Sequence, residues 1–398
     1  MPRFALYAAG AGSKNILNLK RQLGYDQLLS QYTERKACIE WVEYLREHPE
    51  CTCRLFIDSG AYTAHTKGIE VDVDDYINFI NSIDDKVFVF AQVDKIPGRW
   101  GQPKTPEELA EAPELSWENY LYMVDKVKSP KKLLPIFHQG EDFKHLWRML
   151  EYQYPNGEYI DYIGVSCNKE LTTNDWIQWF NEVYKIIRDS KNPNVKTHAF
   201  GMTSLKVLEQ FPFTSADSTS WVRSAGFGNI LIGGTSVYVS SRNPNDSGYV
   251  GNLSPALKDS IDRIAKKYGY SLFEVIDEAT TDERLRVLES LNANYSKYRN
   301  LISDYVQLED LNVTNKYLFD IKEELKTLVE NIYKKILNDD VNEDLSNRVK
   351  KATIEFNEEL DSVKGSGEIR CLFNIASLNE WALNYQFRGT SEFKETLW

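Results

Sequence analysis

Between residues 4 and about 235 the chain alternates short apolar, β-forming runs with amphipathic segments of helix length, and few folds accommodate that pattern. The runs are FALYAAG (4–10), RLFIDSG (54–60), VFVFAQVD (87–94), KLLPIFHQG (132–140), YIDYIGVSC (159–167), KTHAFGM (196–202), FTSADSTSW (213–221) and NILIGG (229–234). Continuous apolar stretches such as VFVF and LLPIF suit strands buried on both faces, as in a parallel sheet. Helices are predicted between them over 33–47, 72–83, 116–128, 142–153, 174–190 and 203–210, with Asp72, Ser116 and Thr173 among their capping residues. Eight strands with intervening helices is the count for an α/β fold of the (β/α)8 TIM-barrel type. A doubly wound open sheet is the alternative.

Beyond about 250 the character changes. Leu, Lys, Glu, Asp and Asn dominate at helical apolar spacing, as in LFDIKEELKTLVENIYKKIL (318–337), and predict a mostly helical region over 251–398 after a barrel over 1–250. Lys and Arg number 47 against 59 Asp and Glu, a net charge of −12. A chain that holds nucleic acid by its overall field would be basic, so a polynucleotide here would need a local set of cations. No apolar run approaches the ~20 residues that span a bilayer, so no membrane association is expected. The N-terminal MPRFALYAAGAGSKN reads as a first strand rather than a signal peptide. Five cysteines, at 38, 51, 53, 167 and 371, are an odd count in a long chain and fit free thiols in a reducing cytoplasm.

In a (β/α)8 barrel the active site lies at the C-terminal ends of the strands. The polar residues there are Asp58, Asp94, His138 with Gln139, Ser166, His198 and Asp217. Taken singly, each Asp is also what a helix cap or turn requires, and each His could be a satisfied structural residue. Their recurrence at successive strand ends is what points to a shared site. Gly60, Gly140, Gly164 and Gly201 lie beside these groups and would permit close approach of a ligand to the backbone. The five histidines include no H-x3-H pair, Cys51 and Cys53 have no second cluster, and neither a G-x4-G-K-S/T loop nor a G-x-S-x-G elbow occurs. No metal and no cofactor is expected. AAGAGSKN (8–15) has the glycines of a phosphate-cradling turn without the full dinucleotide fingerprint. What remains is carboxylate chemistry: one Asp as nucleophile or electrostatic stabiliser, another as general acid and base, as in displacement at a glycosidic carbon.

Five segments, in order, resemble the tRNA-guanine transglycosylase superfamily. FIDSGAYT (56–63) resembles its DSGG-F-Q segment, PIFHQGEDFKHLW (135–147) its I-V-Q-G-G segment, and YIDYIGVSCNKE (159–170) its A-I-G-G-L-S-V-G-E stretch. HAFGMTSLKVLEQ (198–210) is similar to L-M-G-V-G-T-P-E-D-L, and PFTSADSTSWVR (212–223) falls where the family places its nucleophilic Asp. The resemblance implies a barrel in which Asp217 attacks C1′ of the target nucleoside and Asp58 is the general acid and base. It implies that Asp94 and Gln139 hydrogen-bond the purine edge, that the Gly164–Val165 backbone lines the base pocket, and that Tyr62 stacks on the base. His138 and His198 are further candidates for substrate contact.

The departures from the family are specific. The downstream C-x-C-x2-C zinc site is absent, since only Cys371 follows Asp217; Ala61 and Thr63 replace a Gly and the Gln of the first motif; and P-T-R becomes Ser220-Trp221-Val222-Arg223. These features look more like the divergent DNA 7-deazaguanine transglycosylases of phages and bacterial genomic islands. The resemblance therefore implies a pentosyltransferase that exchanges guanine in DNA for a free 7-deazapurine such as preQ0. The alternatives are a zinc-less tRNA-guanine transglycosylase, a non-catalytic nucleobase- or nucleic-acid-binding barrel within a modification complex, and a glycoside hydrolase. A homodimer or a subunit role would be compatible. Arg99, Lys104, Arg223 and Arg242, in post-strand loops, are the candidate phosphate contacts.

Overall fold

The computed structural model describes residues 4–12, 14–99, 101–202, 204–240, 245, 248–270, 281–303, 318–338, 343–362 and 366–385. Among these residues, contacts divide the chain into two compact units. One draws on Met1–Arg223, Ile232–Thr235 and Ile375–Trp398, the other on Ser224–Leu231 and Ser236–Asn374.

The first unit is a parallel α/β barrel. Its strands are β1 (Ala5–Ala9), β2 (Gln27–Ser30), β3 (Leu55–Asp58), β4 (Val89–Ala91), β5 (Leu133–Leu134), β6 (Ile136–His138), β7 (Tyr162–Ser166), β8 (Lys196–Phe200) and β9 (Ser215–Ser218). They follow the order β5-β4-β3-β2-β1-β9-β8-β7-β6. The two ends of that order, β5 and β6, are separated in sequence only by Pro135. Proline has no N–H to give a ladder, so one strand is broken there into two short pieces. The Pro135 carbonyl still accepts from Gly164 N–H at 2.8 Å. Counted this way the sheet has eight strand positions and closes on itself, as a (β/α)8-type barrel requires.

Two expectations about the strands are corrected. NILIGG is not the eighth barrel strand. Its residues Asn229–Ile232 pair instead with Thr235–Tyr238 in a separate two-stranded sheet, joined by Gly233 and Gly234 at φ 54° and 79°. Two consecutive positive φ values are what a two-residue hairpin turn needs, and the Gly-Gly pair supplies them. The missing barrel strand is β2, only four residues long and flanked by polar groups, too brief to stand out by composition. The helix before it, α1 (Lys14–Gln22), likewise has no counterpart among the helices expected from the sequence.

The connecting helices are α2 (Gln31–Glu47), α3 (Ala61–Thr66), α4 (Val73–Ile83), α5 (Pro106–Lys126), α6 (Phe143–Glu151), α7 (Thr173–Asp189), α8 (Leu205–Leu208) and α9 (Ser220–Gly226). Asp72 caps α4 as expected, accepting from Asp75 N–H at 2.9 Å. Ser116 is not a cap. Helix α5 begins ten residues earlier, where Thr105 and Glu108 form a reciprocal capping box, and it runs through Pro113. Inside it, Ser116 Oγ donates to Ala112 O and accepts from Lys95 N–H, each at 2.8 Å, which ties down the loop after β4. The cap of α7 is Thr172, paired with Asp175, one residue before the expected Thr173.

Alternation along the strands divides the apolar residues between two sides. Tyr7, Leu28, Phe56, Ala91, Leu134 and Ile136 pack with one another inside the barrel. Their neighbours Leu29, Ile57, Phe90, Leu133 and Phe137 pack with the helices. A two-residue step along each strand from the inner set reaches Asp58 from Phe56 and His138 from Ile136, so both side chains are delivered inward, above the apolar layer.

The second unit contains helices over Pro255–Lys267, Thr281–Ile302, Leu318–Asn338 and Glu343–Ser362. Leu291, Tyr295, Tyr298, Leu325, Val329 and Phe356 are among the residues of its own core. No described helix is long and apolar enough to cross a membrane.

Candidate active site

Asp58 ends β3 and opens the D-S-G turn. Its Oδ2 accepts from Gly60 N–H at 3.0 Å. Gly60 sits at φ 79°, and a Cβ there would fall 2.4 Å from Tyr32 Cβ and 2.6 Å from Ser30 Oγ, so this turn admits only glycine. The Asp58 carboxyl is pushed up to about 7: burial acts first, then the field of Asp94, with Asp217 and Glu34 adding to it and the Gly60 N–H opposing. Such a group exchanges a proton near neutral pH.

Glu34 lies where α2 departs from helical geometry, at φ −131°. Its two oxygens accept from Ala11 N–H at 2.6 Å and Ser30 N–H at 3.1 Å. The Gly10 carbonyl accepts from Lys20 Nζ at 2.7 Å and Gln27 Nε2 at 3.0 Å. The glycine-rich turn after β1 therefore gives its Ala11 N–H to a protein carboxylate, in the position where a phosphate-cradling turn would present it to a ligand.

Asp217 is held from below. Its Oδ1 accepts from Gly201 N–H at 2.7 Å and lies 3.2 Å from His198 Nε2. The other ring nitrogen of His198 is 2.5 Å from Ser215 Oγ, which in turn contacts the Tyr162 hydroxyl. His198 is fully buried, with the rings of Phe200 and Phe56 at 4.5 and 4.7 Å. It is placed to orient Asp217 rather than to meet a ligand at the mouth. Both protein hydrogen bonds fall on Oδ1, and among the described residues Oδ2 has none. Lys169 donates to Gly201 O at 2.7 Å and lies in the field of Asp217. Burial lowers its pKa, opposed by Cys167 and Asp217.

On the other side of the mouth His138 stands between two carboxylates. Its Nε2 is 3.0 Å from Asp94 Oδ2 and its Nδ1 is 2.9 Å from Glu141 Oε1. Burial alone would lower the imidazole pKa, but Glu141 and Asp94 outweigh it and raise it to about 10.

The remaining sequence candidates are placed as follows. The Gln139 side chain accepts from Asn168 N–H at 3.1 Å and donates to Asp175 O at 3.4 Å, fastening the loop after β7 to the start of α7. Gly164 is inside the barrel, where a Cβ would come within 2.4 Å of Phe200 Cε2 and 2.7 Å of Leu134 Cδ2. Val165 faces the helices in the main core. Tyr62, on α3, is 59% exposed. Arg99, Lys104 and Arg223 are exposed, and Lys104 with Lys95 adds to the burial that lowers the pKa of His65. Arg242 lies outside the described residues.

Glu34, Glu141 and Lys169 belong to this mouth and were not singled out from sequence. Glu141 could have been found from the H-x2-E spacing in HQGED. Glu34 could not, because a Glu within an amphipathic helical segment reads as solvated surface. Among the described residues, no group of three or more His, Cys, Asp or Glu is arranged to hold a metal ion. The mouth presents a carboxyl that titrates near neutrality, a carboxylate with one oxygen anchored, and an imidazolium between two carboxylates. No protein-family model and no curated protein matches the chain.

Proposed function

We propose that this mouth exchanges a base at a glycosidic carbon, replacing guanine in DNA with a 7-deazapurine of the preQ0 kind through a covalent intermediate on Asp217. The pairing of Asp217 with Asp58 carries this reading. Among the described residues Asp217 Oδ2 has no hydrogen-bond partner, while its Oδ1 is fixed by Gly201 and His198. Burial first, then the fields of Asp94 and Asp217, push the Asp58 carboxyl up to about 7.

The chemistry follows in two displacements. Asp217 Oδ2 attacks C1′, the C1′–N bond breaks, and its electron pair leaves with the base, which takes the proton of Asp58. The incoming base then gives its ring N–H proton to Asp58, its nitrogen attacks C1′, and the ester to Asp217 breaks. Asp58 ends protonated and Asp217 ionised, as both began. A base inside a duplex must be flipped or offered from a single strand to reach such a mouth. With a net charge of −12, its phosphates would be held by a limited set of exposed cations such as Arg99, Lys104 and Arg223.

Radiolabelled guanine and preQ0 offered with duplex DNA, single-stranded DNA and tRNA in parallel test this directly. Label should enter DNA with the parent protein, together with a trappable covalent adduct, and neither should form with Asp217→Asn. Label entering tRNA alone would move the substrate to RNA, release of base without uptake would make the reaction hydrolysis, and full exchange by Asp217→Asn would overturn the mechanism.

A further inference from the structure

The cluster of His138, Asp94 and Glu141 has no part in the two displacements, yet it faces the same mouth. An ionised carboxylate only accepts hydrogen bonds, so a ring that meets one through each nitrogen carries a hydrogen on both and is an imidazolium. Glu141 is committed wholly to His138: Oε1 takes the ring at 2.9 Å and Oε2 takes the backbone N–H of the same residue at 3.2 Å. Asp94 is committed by half. Its Oδ2 takes His138 Nε2 at 3.0 Å, and among the described residues Oδ1 has no protein partner although the side chain is largely buried. That oxygen is not sealed from solvent, so a donor on a ligand in the mouth can reach it.

We infer that His138 and Glu141 are positioning residues for base recognition, holding Asp94 as an ionised acceptor with one oxygen turned to an N–H donor edge of the incoming or departing base. The inference rests on the base-exchange reading and goes beyond it in assigning these two side chains. The electrostatic reason lies in the neighbours. Asp94 shares the mouth with Asp58 from β3, which in turn faces Asp217 from β9 and Glu34 from α2. Without a cation beside it, the Asp94 carboxylate would face those negative charges with nothing to offset them. His138 is that cation, and Glu141 keeps it charged. From α6, His145 faces Glu141 and is itself in the field of Arg148, Glu114 and Lys144.

Two variants should fail in opposite directions. His138→Gln keeps a donor toward Asp94 but removes the charge that offsets its acidic neighbours, so base binding should weaken most at the acid end of the range. Glu141→Gln leaves His138 with one carboxylate, so binding should weaken as pH rises and the imidazolium loses its proton. The measurement is the Kd of radiolabelled guanine by equilibrium dialysis, and its KM in exchange with saturating DNA, from pH 5.5 to 9. Each variant should lose roughly tenfold on its own side of the profile, the scale of one charge-assisted hydrogen bond, with kcat much less affected. Equal, pH-independent losses in both variants, or none, would overturn the inference, as would failure of the parent protein to bind guanine. Binding with the opposed pH limbs but no exchange into any nucleic acid would instead refute the base-exchange reading alone.

Discussion

Replacing Asp58 with Asn should stabilise the protein while abolishing exchange, because the carboxyl that suits the reaction is costly to the fold. Its pKa stands at about 7 instead of the ordinary 3.8. Between those values the native state keeps a proton that the unfolded chain has released, so the unfolding free energy falls as pH rises, by about 1.4 kcal/mol per unit. By pH 7 the accumulated cost is about 4 kcal/mol, a ceiling because solvent reaching a partly buried carboxylate screens it. Above that pH both states are ionised and the cost stays constant. Asn does not titrate and can still accept from Gly60 N–H. Urea denaturation of parent and Asp58→Asn from pH 4 to 8 should give similar stabilities at the acid end. The variant's advantage should then open steadily up to pH 7 and level off. A difference that stays constant between pH 5 and 7, or a parent more stable than the variant at pH 7, would refute the argument.

Two further outcomes follow from the barrel interior. Gly164→Ala should lower thermal stability by about 1–3 kcal/mol, since its Cβ would fall 2.4 Å from the Phe200 ring and 2.7 Å from Leu134; a melting temperature equal to the parent's would show that the interior is looser than this packing implies. His198→Asn removes the ring beneath Asp217 Oδ1 and should lower kcat for exchange by roughly ten- to a hundredfold with little change in KM for the base, as expected of a group that orients the nucleophile. A change confined to KM would place His198 in base binding instead.

The strand-end residues were readable because the pleat is. FIDSG and PIFHQ each carry an apolar inner residue, Phe56 or Ile136, two positions before a polar one, Asp58 or His138, and a period of two needs no long-range information. Asp217 is legible as the polar residue at the end of FTSADS. The anchoring partners were not, because they arise from contacts between separate strands and loops. Gly201 N–H reaches Asp217 from the loop after β8, and Asp94 reaches His138 from the loop after β4. Gln139 shows the converse: its place in the sequence motif suggests a ligand contact, and its amide fastens Asn168 and Asp175 instead.

By itself the sequence determined the parallel α/β class, the doubly buried strands, the helical segments after residue 250 and the placing of Asp58 and His138 at strand ends. All of these rest on local periodicity. Only the tertiary structure decided which strands complete the barrel, replacing NILIGG with the four residues Gln27–Ser30 and splitting one strand at Pro135. It alone raised the Asp58 carboxyl toward neutrality, through burial and the fields of Asp94 and Asp217, and it alone set His138 beside Asp94 and the Gly201 N–H beside Asp217. Burial and charge proximity depend on residues brought together from distant parts of the chain, and no local pattern encodes them.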